Sequence, residues 1–255
     1  MKSIHIVTLL LGIFLLSCAN SNQSEKEVSD FRIMTYNIRN CRGLDDSVSI
    51  DRTASVINNI KPYVVAVQEI DSVTGRSQSK YILGELAART RMIPVFSPAI
   101  DYDGGKYGTG VLCTEKPKAV YRRDLPGTEE KRTLIVVEFD KFCFASTHFS
   151  LTESDRIKSA ALIKDFISKF DKPVIVAGDW NDEPESAFLN EMKKTFRILS
   201  KAEEYTFPAS EPSKTIDYIA VSEKHSEKLS LKDVKVVDAP VESDHRPLVA
   251  EISVE

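Results

Sequence analysis

The sequence predicts an α/β domain in which packed sheets are covered by helices. Three observations carry that expectation. Short apolar runs of strand length recur along the chain. Stretches with apolar residues at helical spacing interleave with them. Several strand-like runs follow one another across short turns only, which a purely parallel, doubly wound sheet does not permit.

Phe31–Asn37 alternates and reads as a strand, and Asp51–Ile60 has helical spacing and ends before Pro62. Val64–Gln68 is continuously apolar, as a strand buried on both faces would be. Tyr81–Thr90 is a second helix. Gly110–Thr114, Thr133–Phe139 and Lys141–Thr147 read as strands. Glu153–Phe170 sets Ile157, Ala160, Ala161, Ile163, Lys164 and Ile167 around one helical stripe. Pro173–Ala177 is another buried strand, Ala187–Thr195 a short helix, and Ile216–Val221 and Leu248–Val254 the closing strands.

The N-terminus is of a different kind. Lys2 precedes an almost wholly apolar run, Ile6–Leu16. That run is shorter than the ~20 residues a spanning helix needs and fits a secretory signal peptide. Leu15-Leu16-Ser17-Cys18 then resembles a bacterial lipobox, whose cysteine is acylated and becomes the first residue of the mature chain. An ordinary cleaved signal, or a membrane-anchored helix, is the alternative. Residues 1–17 are therefore expected to be a signal peptide, 18–30 a polar tether and 31–255 one catalytic domain. The location expected is the bacterial cell envelope, periplasmic or surface-facing, with Cys18 as the lipid anchor and the only membrane contact.

Composition excludes little. The 255 residues are 42% hydrophobic and 28% charged, with formal charge −4. A net negative chain does not draw polyanions by its bulk field, so nucleic acid is a possible but disfavoured partner. Three cysteines besides Cys18 (Cys41, Cys113 and Cys143) cannot form a complete disulfide set, and no spacing suggests zinc.

The strand ends carry the chemistry. Asn37, Gln68-Glu69, Thr147-His148 and Asp179-Trp180-Asn181 each terminate an apolar run, whereas Asp217 and Asp244-His245 stand near the starts of the last two. If the last two strands run antiparallel to the others, all six groups reach one rim. Any one of them could be a turn, cap or structural residue; a cluster of acids, amides and imidazoles without thiolate suits Mg²⁺ or Mn²⁺.

At these residues the chain resembles the endonuclease/exonuclease/phosphatase superfamily. The matching stretches are Thr35-Tyr36-Asn37-Ile38-Arg39, Gln68-Glu69, Tyr107-Gly108-Thr109-Gly110, Thr147-His148-Phe149, Gly178-Asp179-Trp180-Asn181, Ile216-Asp217-Tyr218 and Ser243-Asp244-His245-Arg246-Pro247. The resemblance implies a four-layer α/β/β/α sandwich with two mixed, largely antiparallel sheets. It implies Glu69 as principal metal ligand, with Asn37 beside it and Asp244 as a further carboxylate. Asp179 would orient and deprotonate the attacking water, Asn181 touch the transition state, Asp217 and His245 form a pair facing phosphate, and His148 contact phosphate. Tyr107 and Arg132 are weaker substrate-binding candidates. The expected activity is metal-dependent hydrolysis of a small phosphodiester or phosphomonoester, lipid-headgroup or sugar phosphate, by a monomer. A secreted deoxyribonuclease-like enzyme and a non-catalytic binding lipoprotein are the alternatives.

Overall fold

The computed structural model describes residues 28–255; the segments expected as signal peptide and, for the most part, tether, with the expected anchor Cys18, lie outside them. The strands are β1 (Ser29–Asn37), β2 (Val64–Ser72), β3 (Ile93–Tyr102), β4 (Gly105–Cys113), β5 (Ala119–Leu125), β6 (Arg132–Glu138), β7 (Cys143–His148), β8 (Val174–Asp179), β9 (Phe196–Ile198), β10 (Asp217–Ser222), β11 (Leu229–Val236) and β12 (Leu248–Val254). The helices are α1 (Ile50–Ile60), α2 (Ile82–Thr90), α3 (Glu153–Ile167) and α4 (Ala187–Met192). One sheet has the order β11-β12-β1-β2-β4-β3, the other β5-β6-β7-β8-β10-β9. This is the expected mixed pair of sheets. β1 starts at Ser29, so the strand takes in the last two residues assigned to the tether.

Strand alternation builds three apolar layers. Ile33, Val64, Ala66, Phe144, Ile175, Ala177, Ile219 and Leu248 pack between the sheets. Met34, Val65, Val67 and Val249 point outward under α1 and α2. Ala145, Val174, Val176 and Tyr218 point outward under α3 and α4. Burial on both faces explains why β2 and β8 read as continuous apolar runs. The α3 stripe differs from expectation. Arg156, Ser159, Ala160, Ile163 and Ile167 face inward, while Ile157 is 38% exposed. The helix is rotated so that Arg156 can donate to the Ser150 and Leu151 carbonyls and to Asp182.

Strand direction settles where the polar ends meet. β1 and β2 are parallel, as are β7 and β8. β12 is antiparallel to β1, and β10 to β8. The four C-terminal ends and the two N-terminal ends therefore share one rim.

Candidate active site

The site is the uppermost layer of the core between the sheets. In β1 the alternation that buries Ile33 and Thr35 on that face delivers Asn37 to it. The same parity runs Ile175, Ala177, Asp179 in β8 and Ile219, Asp217 in β10. The group is sealed: Asn37, Asp179, Asp217 and His245 are 0%, 1%, 1% and 5% exposed.

Glu69 reaches the layer by a different device. The β2–β4 register shifts between Val67, opposite Gly110, and Ile70, opposite Gly108. Glu69 sits in this bulge at φ 59°. Two β2 residues, Gln68 and Glu69, thus oppose Thr109, and a carboxylate that regular alternation would aim at the helices turns toward the cleft. Below it, Thr35, Gln68, Ser146 and Thr109 hydrogen-bond across the two sheets.

Asp179 is the hub. Its Oδ2 lies 3.0 Å from Asn37 Nδ2, 3.4 Å from His148 Nε2 and 3.6 Å from His245 Nε2. Its Oδ1 accepts from the Asn181 backbone N–H at 3.0 Å. Asn37 Nδ2 also donates to Glu69 Oε1 at 3.0 Å, so the two carboxylate oxygens are no more than twice that distance apart. Asn37 Oδ1 accepts from the Arg39 N–H. Asn37 was expected as a ligand beside Glu69; here its nitrogen faces the carboxylates and holds them together. Asp244 joins through Ser243, whose hydroxyl bonds both the Asn37 carbonyl and Asp244 Oδ1, and Arg39 Nε lies 3.6 Å from Asp244 Oδ2.

His245 Nδ1 is 2.9 Å from Asp217 Oδ2, and the Phe207 ring packs on the imidazole at 4.9 Å. Burial opposes charge on His245, but Asp217 and Asp179 outweigh it and raise its pKa to about 10. Burial pushes the Asp179 carboxyl up, with Asp217 adding to it, against the pull of His245 and Asn37. His148 is held well below the ordinary imidazole range by burial and by the Arg132 and His245 charges. One imidazole is thus kept charged and the other neutral.

Asn181, at φ 53°, donates its side-chain amide to the Phe149 carbonyl at 2.9 Å. An amide carries a second N–H, which remains for a ligand. Gly178 precedes this turn because a Cβ there would lie 2.0 Å from the Thr147 carbonyl oxygen. Burial pushes the Tyr107 hydroxyl well above the ordinary phenol range, and the Glu69 and Glu130 charges add to it. Arg132 is 7% exposed and paired with Glu129 and Glu130, so it is neither solvated nor open. Arg39, Ser243 and Phe207 are parts of the site to which the sequence assigned no role, although the first two lie inside the matching stretches, Arg39 two residues after Asn37 and Ser243 just before Asp244.

Glu129 fastens the loop after His148. It accepts from the Ser150 hydroxyl, the Leu151 N–H and the Thr152 hydroxyl. Burial opposes its ionisation, but these donors win and lower its pKa to about 2. A depressed carboxyl stabilises the fold above its unfolded value, ~4.5, and loses that contribution as pH falls to about 2. Glu129→Gln is expected to cost about 1–3 kcal/mol near neutral pH and to flatten the stability curve between those two pH values. Denaturant unfolding across pH checks this; a parallel acid limb in the variant would refute it.

The oxygen-rich rim suits a hard divalent cation. Glu69, Asp179, Asp217 and Asp244 gather there against Arg39 and His245, and the buried Asp217 Oδ1 has no partner. Such crowding of carboxylates is costly without a counter-charge. Donor atoms of Asp179, Asp217 and His245 lie within 4.8 Å of one another, though two of them already bond each other. The expected ligands Glu69 and Asp244 thus flank a compact, internally paired trio.

The family model described as "Endonuclease/Exonuclease/phosphatase family" matches residues 34–245. No curated protein matches the chain. Among solved structures, an endonuclease/exonuclease/phosphatase from Bacteroides vulgatus aligns with TM-score 0.73 at 21% identity, covering 89% of this chain and 100% of its own. A mannosyl-6-phosphatase from Bacteroides thetaiotaomicron aligns at 0.68 and 17%, covering 87% and 99%. The human Nocturnin catalytic domain with bound sulfate aligns at 0.66 and 19%, covering 90% and 97%. Those likenesses are of fold, and the family match spans the site from Met34 to His245. The chain therefore carries a phosphoesterase fold and belongs to the endonuclease/exonuclease/phosphatase family.

Proposed function

We propose that this chain hydrolyses a small phosphate ester, with Mg²⁺ or Mn²⁺ as cofactor, by attack of water on phosphorus. One observation carries the reading: a buried carboxylate, Asp179, is surrounded by three nitrogen groups at 3.0–3.6 Å, with Glu69 joined to it through Asn37 and Asp244 tied to Asn37 through Ser243. Glu69 and Asp244 would hold the ion, which when bound supplies Lewis acidity toward a phosphoryl oxygen. Asp179 would take the proton of the attacking water. His245, kept charged by Asp217, would face the developing negative charge, and neutral His148 and Asn181 would donate to non-bridging oxygens.

The mouth favours a small substrate. Arg39, Arg76, Lys106, Arg132, Lys214 and Arg246 each sit on a carboxylate, so these cations form no free stripe for a polyanion. Position adds to this. The tether enters at Ser29 and the site lies at Asn37, the opposite end of β1, roughly 26 Å away at the usual strand rise. If Cys18 is the anchor, the rim lies at the end of the domain remote from the point where the chain enters it. That favours a sugar phosphate or similar soluble ester over a headgroup of the same membrane, and the mannosyl-6-phosphatase among the fold neighbours fits that choice.

A substrate panel tests the proposal: p-nitrophenyl phosphate, bis-p-nitrophenyl phosphate, sugar phosphates, plasmid DNA and lipid vesicles, with Mg²⁺, Mn²⁺ or EDTA. Metal-dependent release from the small esters is expected, with EDTA abolishing it. Plasmid cleavage at catalytic enzyme levels would replace the reading with the nuclease. Silence on every substrate would leave the binding module. Saturating metal at about 100 times its Kd should also stabilise the fold by about 2.7 kcal/mol, measured by thermal unfolding.

A further inference from the structure

Arg132 begins β6, and both terminal nitrogens of its guanidinium have partners, while its buried Nε has none. Nη2 donates to Glu129 Oε1 at 3.3 Å. Nη1 donates to Glu130 Oε1 at 2.9 Å and lies 3.3 Å from His148 Nδ1. Glu129 cannot swing away to release it, because Ser150, Leu151 and Thr152 grip the same carboxylate. A substrate phosphate would have to displace two partly exposed carboxylates to claim the terminal nitrogens of this guanidinium.

The contact with His148 carries more information. A guanidinium has donors and no acceptor. A hydrogen on His148 Nδ1 would meet another N–H head-on, so Nδ1 must be the acceptor. A neutral imidazole with a bare Nδ1 carries its hydrogen on Nε2. Nε2 lies 3.4 Å from Asp179 Oδ2, a carboxylate oxygen whose charge favours a hydrogen on that nitrogen without forming a hydrogen bond to it. The two ends of the ring therefore agree on one tautomer.

We propose that Arg132 is a positioning residue that fixes His148 as the neutral Nε2–H tautomer, with its hydrogen aimed permanently into the cleft. The glutamates hold the guanidinium, the guanidinium holds the ring, and the ring presents one donor. What that donor does in turnover, bonding a non-bridging phosphate oxygen, rests on the hydrolytic reading above. The tautomer does not.

The decisive measurement is long-range ¹H–¹⁵N correlation spectroscopy on the full chain with ¹⁵N-labelled histidine, the His148 signals being assigned by their loss in His148→Gln. The expected pattern is a bare Nδ1 and a protonated Nε2 at neutral pH. A protonated Nδ1, alone or together with Nε2, overturns the proposal, and the wild-type chain suffices to show it. Kinetics supply a second arm. Arg132→Met should lower kcat by about 10–100-fold, the usual cost of losing a residue that orients a site group, with KM within about twofold, and Arg132→Lys should recover much of the loss. A raised KM at unchanged kcat would make Arg132 a substrate contact and refute the positioning role. An Nδ1–H tautomer in an active enzyme would sink this inference alone; the expected tautomer in a protein that hydrolyses nothing would sink only the hydrolytic reading.

Discussion

Asp179→Asn lowers kcat for phosphate-ester hydrolysis by about 10³-fold or more while the protein stays folded. The change keeps side-chain volume, and the amide oxygen can still accept from the Asn181 N–H, one of the two bonds that now fix Asp179, while the new NH2 faces Asn37 Nδ2. What is lost is the base and its charge. Burial already holds the Asp179 carboxyl above the usual carboxylate range, where taking a proton from water near neutral pH becomes feasible. The metal-free fold gains little from this charge, because Asp217 stands nearby and both are buried. Metal-free Asp179→Asn should therefore melt within a few degrees of the wild type, relief of the buried charge offsetting one lost hydrogen bond and a weaker hold on the His245 imidazolium. Single-turnover rates and thermal unfolding together decide it. Activity within tenfold of wild type would remove Asp179 from the chemistry. An unfolded variant would instead make it structural.

What could be read from the sequence follows burial. β1, β2, β7, β8, β10 and β12 are central strands whose apolar runs were recognisable, and their ends carry most of the site. The strands that were not foreseen, β3, β5, β9 and β11, are the four edges of the two sheets. Edge strands are half exposed and hold charges and prolines, such as Pro94 and Pro98 in β3 and Arg122 and Arg123 in β5, so the period-two signal is weak. The convergence of Asn37, His148, Asp179, Asp217 and His245 was legible because strand direction alone brings the ends together. Glu69 was legible by type but not by orientation, since its aim depends on a bulge that no local pattern announces. The pairing of Arg132 with His148 was not legible either. It joins the start of one strand to the end of its neighbour, and sequence spacing says nothing about which face a guanidinium chooses.

His245→Ala should cost about 10²–10³ in kcat, and Asp217→Asn should change the pH profile more than the fold. The argument runs through the sign of the shift. An imidazole free in an unfolded chain titrates near 6.5, whereas Asp217 and Asp179 hold folded His245 near 10 despite burial. A raised imidazole stabilises the fold fully below its unfolded value, and that contribution drains away as pH climbs from ~6.5 to about 10. Asp217→Asn keeps a side chain of the same size against Nδ1 but removes the largest charge favouring the imidazolium. His245 then loses its proton at lower pH, so the alkaline fall in kcat should begin earlier, and stability at pH 6 should drop toward the value the wild type shows at high pH. The double variant should be little worse than His245→Ala alone, because Asp217 acts through the ring. A profile of Asp217→Asn that overlays the wild type up to pH 10, or a double variant that loses the product of the two single effects, would show that the two residues act separately and that Asp217 contributes through its unpartnered Oδ1 instead.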